Sequence, residues 1–213
     1  MRLFFGVAPA APLRALLQSG SDELRRLPAG AGLRWLDPAS YHMTLAFLGQ
    51  VADARLEALL AAARGGLREA PASQPALGEL VWLPQSSRPR VLAVMVRGDE
   101  RLLATHAALC QALARAGFAL ERRPLLPHIT LARCQRRPPE RRPPERRPPV
   151  RRPPERRPPD LRELAGAWRS GGAAWPVAAV TLFESRLLPG GARYRRLATL
   201  PLGDAGPAGS PPA

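Results

Sequence analysis

The chain has 213 residues, 46% of them apolar, and a formal charge of +15. Its length suits one domain with a full core, or two small lobes sharing one, and its composition is that of a soluble globular protein. No stretch is long and apolar enough to cross a membrane as a helix. All 32 basic residues are Arg, Lys and Asn are absent, and Ile occurs once, so the arginine content reads first as coding bias. The charge still attracts polyanions, with salt-dependent affinity for phosphates. Cys110 and Cys134 form neither a metal spacing nor a disulfide framework, so a cytoplasmic protein with two reduced thiols is expected.

The opening Met1–Ala10 loosely imitates a secretory signal. Its apolar stretch is short and runs into prolines, so residues 2–8 are read as a first strand. Residues 12–26 have helical periodicity, with Leu13, Leu16, Leu17 and Leu24 on the apolar side. A strand is expected over 41–48, ended by Gly49, then an Ala/Leu-rich helix over 53–64 that stops near Gly65-Gly66. Strands follow at 77–83 and 90–97, joined by a Pro/Ser-rich turn. Asp99 suits the N-cap of a helix ending at Gly117, with a stripe of Leu102, His106, Leu109 and Leu113. A strand over 126–133, a helix over 160–169 and strands at 176–185 and 193–200 complete the pattern. The order strand, helix, strand, helix, strand occurs twice, which reads as an internal duplication giving two pseudo-symmetric lobes with a groove between them.

Residues 136–160 are five tandem pentapeptides, Arg-Arg-Pro-Pro followed by Glu, Val or Asp, holding ten Arg and four acidic residues. Paired prolines exclude helix and sheet, so an extended, disordered insertion in a loop is expected. The favoured reading is a tolerated surface expansion, because added loop length costs little stability. The functional alternative is a basic arm for RNA, or a ligand for a proline-recognising partner. The Gly/Pro/Ser-rich tail 203–213 is likewise expected to be disordered, leaving one bilobal domain over 1–202.

Two of the three histidines stand in the same phrase: His42-Met43-Thr44-Leu45 and His128-Ile129-Thr130-Leu131. On a strand, residues i and i+2 share a face, so each histidine is presented beside a threonine hydroxyl. Imidazole is available in both protonation states near neutrality, so one histidine can accept a proton while the other donates one. The hydroxyls can donate to phosphoryl oxygens. The chemistry this suits is cleavage of a phosphodiester such as a ribose 2′,3′-cyclic phosphate. The spacing leaves open which histidine does which. No His-x-His pair, carboxylate cluster or Gly-rich nucleotide loop is present, which argues against a metal-dependent phosphatase and an ATP-driven ligase. His106 lies on a helical apolar stripe with no Thr partner and is read as structural. Arg133, Arg122 and Arg123 are candidate phosphate contacts, although Arg133 faces away from Thr130 on a regular strand. Phe4, Phe5, Tyr41 and Trp82 are candidate base-stacking residues.

At these motifs the chain resembles the two-histidine phosphoesterase superfamily, and within it the RNA 2′,3′-cyclic phosphodiesterase group also known as 2′-5′ RNA ligase-like. The likeness extends to Arg2-Leu3-Phe4-Phe5, Thr44–Gly49, Pro127–Arg133, Phe183–Leu187 and Gly191–Tyr194. It implies an α+β, bilobal, pseudo-symmetric fold of antiparallel sheets around a central groove, with helices outside. It implies hydrolysis of a terminal 2′,3′-cyclic phosphate to a 2′-phosphate without metal or cofactor, and in some members joining of tRNA halves through a 2′-5′ bond. By position, the resemblance makes His42 the proton donor, His128 the proton acceptor, and Thr44 and Thr130 the oxyanion donors. On residue chemistry, apart from the resemblance, Arg133, Arg123, Phe5 and Tyr41 are the candidate substrate contacts. The expected partner is RNA with a cyclic phosphate end, bound by a monomer. The alternatives are a phosphodiesterase for small cyclic nucleotides, a non-catalytic RNA-binding module, and a repeat-based interaction protein.

Overall fold

The computed structural model describes residues 1–85, 87, 89–121, 123–134, 160–169, 171–188 and 191–203. The pentapeptide repeat up to residue 159, the tail from 204 and Arg122 lie outside these residues, so the expected disorder of the repeat and the tail lies outside them too.

Strand β1 (Arg2–Val7) sends Leu3, Phe5 and Val7 into the core. Helix α1 (Ala11–Arg26) starts with a proline in its first turn and buries Leu13, Leu17, Gly20, Ser21 and Leu24. That 4-3-4 spacing is one helical stripe, and Leu16 falls off it and is exposed, contrary to expectation. A three-residue strand, β2 (Leu33–Trp35), follows. It is too short to carry an alternation of its own and exists through its ladder to a later strand. Strand β3 (Met43–Gln50) runs through Gly49 instead of ending there. Gly49 has φ +69°, at a point where the ladder to β1 shifts register, so the glycine serves a bulge.

Helix α2 (Leu56–Leu67) follows a turn of 3-10 helix and also runs through its expected stop at Gly65-Gly66. A Cβ on Gly66 would lie 2.6 Å from Ala112 Cβ and 2.9 Å from Ala108 O. The glycine therefore permits close helix packing and is not a terminator. Strands β4 (Ala76–Leu83) and β5 (Val91–Arg97) form the expected hairpin. Helix α3 (Glu100–Arg115) is capped by Asp99, whose carboxylate accepts from Leu102 N at 2.8 Å, and closes at Gly117 with φ +74°. Its stripe is as expected: Leu102, Leu109 and Leu113 are buried, and His106 is half-buried with Nε2 3.4 Å from Cys110 Sγ. Strand β6 (His128–Cys134) is followed by helix α4 (Leu161–Ala167), capped by Asp160, and by strands β7 (Ala179–Leu188) and β8 (Gly191–Pro201).

The strands form one antiparallel sheet in the order β4-β5-β6-β3-β1-β7-β8, with β2 also on β6. The two motif strands lie at its centre. The order is mirrored about them: β3-β1-β7 on one side, β6-β5-β4 on the other. The last strand of each sequence half has therefore crossed to the other lobe. For β4 the cause is local, because its hairpin partner β5 is reached through a short turn. The helices cross similarly: α3 packs against α2 and β3, whereas α1 and α4 lie by β2 and β4 respectively. The expected α+β class with two lobes about a central line holds, but neither lobe is a contiguous half of the chain.

Candidate active site

β2 and β3 take successive lengths of the same edge of β6. Leu33–Trp35 pair with Cys134–Ala132, and Met43 pairs with Ile129. Between them the chain turns through Pro38–Ser40. Met43 and Ile129 are both fully buried, so their neighbours point to the other face of the sheet. In this antiparallel register His42 stands opposite Thr130 and Thr44 opposite His128. One sheet face thus presents two histidines and two threonines at the corners of a rectangle.

Both histidines are held in the same way. His42 Nδ1 donates to the Ser40 carbonyl at 2.8 Å, and His128 Nδ1 donates to the Leu126 carbonyl at 2.7 Å, each two residues back. A carbonyl can only accept, so Nδ1 carries the hydrogen and Nε2 is left for proton exchange. Burial holds His42 below the ordinary imidazole pKa, and the positive charges of His128 and Arg133 lower it further against the raising effect of the Ser40 carbonyl. The His42 ring also packs on Phe4 at 4.8 Å, Tyr194 at 4.7 Å and Phe183 at 5.8 Å between centroids.

Beside this pair opens a cavity of about 410 Å³ whose wall includes His42, Thr44, Arg2, Arg34, Arg133, Phe4, Phe47, Ser185 and Tyr194. The charged side chains of this wall are all cationic. His128 and Thr130 lie beyond it, on β6. Arg133 reaches the cavity although its odd offset from Thr130 predicts the opposite face. Between Ala93↔Thr130 and Leu92↔Ala132 the ladder skips Leu131, and this bulge reverses the alternation.

Other expected contacts are not here. Arg123 lies on an exposed loop, with its Nε donating to Glu121 at 2.6 Å. Phe5 is fully buried and cannot stack a base. Tyr41 is buried, with its hydroxyl donating to Ser21 Oγ at 2.9 Å, and burial pushes its pKa up. Trp82 is also buried. The parity of Leu3-Phe5-Val7 and of Tyr41-Met43-Leu45 was the available signal that Phe5 and Tyr41 belong to the core. Phe4 does edge the cavity, but it is only 3% exposed. Arg2, Arg34, Phe47, Ser185 and Tyr194 went unnoticed as cavity residues. Arg34 rides on the unforeseen β2, and Ser185 and Tyr194 arrive only because the β7–β8 hairpin docks on β1.

Residues 7–93 match the family model described as LigT like Phosphoesterase. An RNA 2′,3′-cyclic phosphodiesterase of Bacillus subtilis (strain 168) is 31% identical over 100 residues, which is 47% of this chain and 55% of that protein. One of Geobacillus stearothermophilus is 36% identical over 100 residues, 46% of this chain and 32% of that protein. The matched stretch thus spans 32% and 55% of the length of these two curated relatives. Among solved structures, one from Thermus thermophilus matches with TM-score 0.71 and 26% identity over 95% of this chain and 98% of that one. E. coli LigT complexed with 3′-AMP matches with TM-score 0.65 and 27% identity over 94% and 97%. In sheet and paired motifs, and in the match over residues 7–93, the chain is similar to the LigT-like phosphoesterases.

Proposed function

We propose that this chain hydrolyses the 2′,3′-cyclic phosphate at an RNA end to a 2′-phosphate. The observation that carries the reading is the Met43↔Ile129 register, which gathers both His-x-Thr pairs on one sheet face. His128 Nε2 takes a proton from water as its oxygen bonds to phosphorus. The P–O3′ bond breaks, and His42 Nε2 gives its proton to the departing 3′ oxygen. Thr44 and Thr130 donate hydrogen bonds to the nonbridging oxygens as their charge grows. The depressed pKa of His42 is compatible with a donor role because a bound phosphate anion favours the imidazolium. A 5′-hydroxyl in the place of water would give a 2′-5′ bond by the same proton transfers.

The arginines of the cavity wall favour an RNA strand over a small cyclic nucleotide, with Arg133, whose charge acts on His42, as a phosphate contact. That E. coli LigT has been crystallised with 3′-AMP supports a nucleotide ligand for this fold. Among the described residues no three His, Cys, Asp or Glu side chains cluster as a metal site, and both proton transfers are assigned to this chain's own groups.

The test is hydrolysis of a short RNA ending in a 2′,3′-cyclic phosphate, with EDTA present. The expected product is the 2′-phosphate, with losses of about 10²–10⁴-fold in each of His42→Ala and His128→Ala. A folded wild type that binds the RNA without turnover would make the chain a binding module. Turnover of small cyclic nucleotides alone would move the substrate to that class.

A further inference from the structure

The two histidines share their backbone restraint but not their surroundings. Among the described residues, aromatic rings pack on His42 from two strands, Phe4 of β1 and Phe183 of β7, and from a third, Tyr194 of β8. Phe4 and Phe183 stack at 5.0 Å with an interplanar angle of 15°, forming a floor. Tyr194 stands nearly perpendicular to both Phe4, at 83°, and the His42 ring, at 76°, forming a wall. No ring contact of this kind accompanies His128 among the described residues.

Tyr194 is brought there by a pinned hairpin. It pairs with Ser185, and the adjacent pair is Glu184↔Arg195. The Glu184 carboxylate is buried and accepts from Arg195 Nε at 2.9 Å and Arg186 Nε at 3.1 Å. Burial pulls the Glu184 pKa up, but the two guanidiniums outweigh it and hold the carboxyl below its ordinary value. The carboxylate thus ties β7 to β8 at the register step next to Tyr194.

We propose that Tyr194 is a positioning residue for His42: with Phe4 and Phe183 it clamps the imidazole so that only Nε2, aimed away from the Ser40 carbonyl, can exchange a proton. This assignment deepens the proposed phosphodiesterase reading and rests on it for its kinetic consequence. An imidazole restrained at Nδ1 alone can still swing about its Cα–Cβ bond. Ring walls on two sides remove that freedom and keep water from the ring faces. Misplacing a proton donor by about 1 Å costs on the order of 10²-fold in rate.

The full chain is compared with Tyr194→Ala, Tyr194→Leu and Tyr194→Phe on an RNA ending in a 2′,3′-cyclic phosphate. The His42 ring is titrated by NMR in each, its signal identified by its loss in His42→Ala. In the Ala and Leu variants kcat should fall about 10–100-fold while KM changes less than about threefold. The His42 midpoint should rise toward the ordinary imidazole value as its burial is relieved. Tyr194→Phe keeps the ring and should recover most of both effects. A raised KM with unchanged kcat would make Tyr194 a substrate contact and overturn the proposal, as would an unmoved His42 titration in both ring-less variants. The Leu side chain fills only part of the ring's space, so it too relieves the burial of His42 and tests the clamp even if the Ala variant fails to fold. Should the wild type not turn over this RNA, the functional reading falls while the titration still decides the clamp.

Discussion

At the scale of single residues, the site works through what surrounds two ordinary imidazoles. His42 is made less basic by burial first and then by the charges of His128 and Arg133. The limb of the kcat/KM profile that reports His42 in the free enzyme should therefore lie below 6.5. In Arg133→Gln one lowering charge is gone, so that limb should move upward. It should stay below 6.5, because burial is the larger cause and is untouched. A pH profile of both proteins checks this, and a limb that moves down in the variant would contradict it. Arg133 also shows how far one residue's role depends on its neighbours. Strand parity turns it from the site, and the skipped pairing at Leu131 turns it back. Phe5 and Tyr41 show the reverse case, where parity with Leu3, Val7 and Met43 correctly assigns them to the core and aromatic identity misleads.

At the scale of elements, adjacent glycines have opposite duties. Gly65 has open space where a Cβ would stand, whereas Gly66 lies against α3. Replacing Gly65 with Ala should stabilise α2 by up to about 1 kcal/mol through helix propensity alone. Replacing Gly66 with Ala gains the same propensity but drives a methyl into Ala112 and the Ala108 carbonyl, at a typical overpacking cost of about 1–3 kcal/mol. The Gly65→Ala chain should melt a few degrees higher and the Gly66→Ala chain lower, as thermal unfolding will show; equal shifts would mean that the helices do not pack as described. A doublet of glycines reads as a stop in sequence because helix–helix distance is not a local quantity. β2 was illegible for a similar reason: three residues hold no pattern, and only β6 makes them a strand.

At the scale of the whole molecule, the candidate site lies on the two central strands, and in sequence the pentapeptide repeat follows shortly after the second of them. Arg133 lines the cavity, and the repeat begins three residues later. As a tolerated loop expansion it should be dispensable. Replacing residues 136–159 with a short Gly/Ser linker keeps Asp160, whose carboxylate caps α4 through Arg162 N at 2.8 Å. Hydrolysis of a short cyclic phosphate RNA should then stay within about threefold of wild type, since loop length affects stability only through a slowly varying closure entropy. A larger loss, steeper at low salt, would instead mark the repeat as an RNA-binding arm.

The sequence by itself determined the candidate site: two His-x-Thr phrases on strands offer the groups to which the proposed function assigns proton transfer and hydroxyl donation, because side-chain type and two-residue periodicity are local facts. It also determined most helices and strands, the cap at Asp99, and the division about two central strands. Only the tertiary structure decided which residues surround that chemistry. The Met43↔Ile129 register, the bulge at Leu131, the crossing of β4 and β7 between lobes and the docking of Tyr194 on His42 all join residues far apart in the chain. Such pairings are chosen by packing and by the need to satisfy each strand edge, which no local pattern encodes.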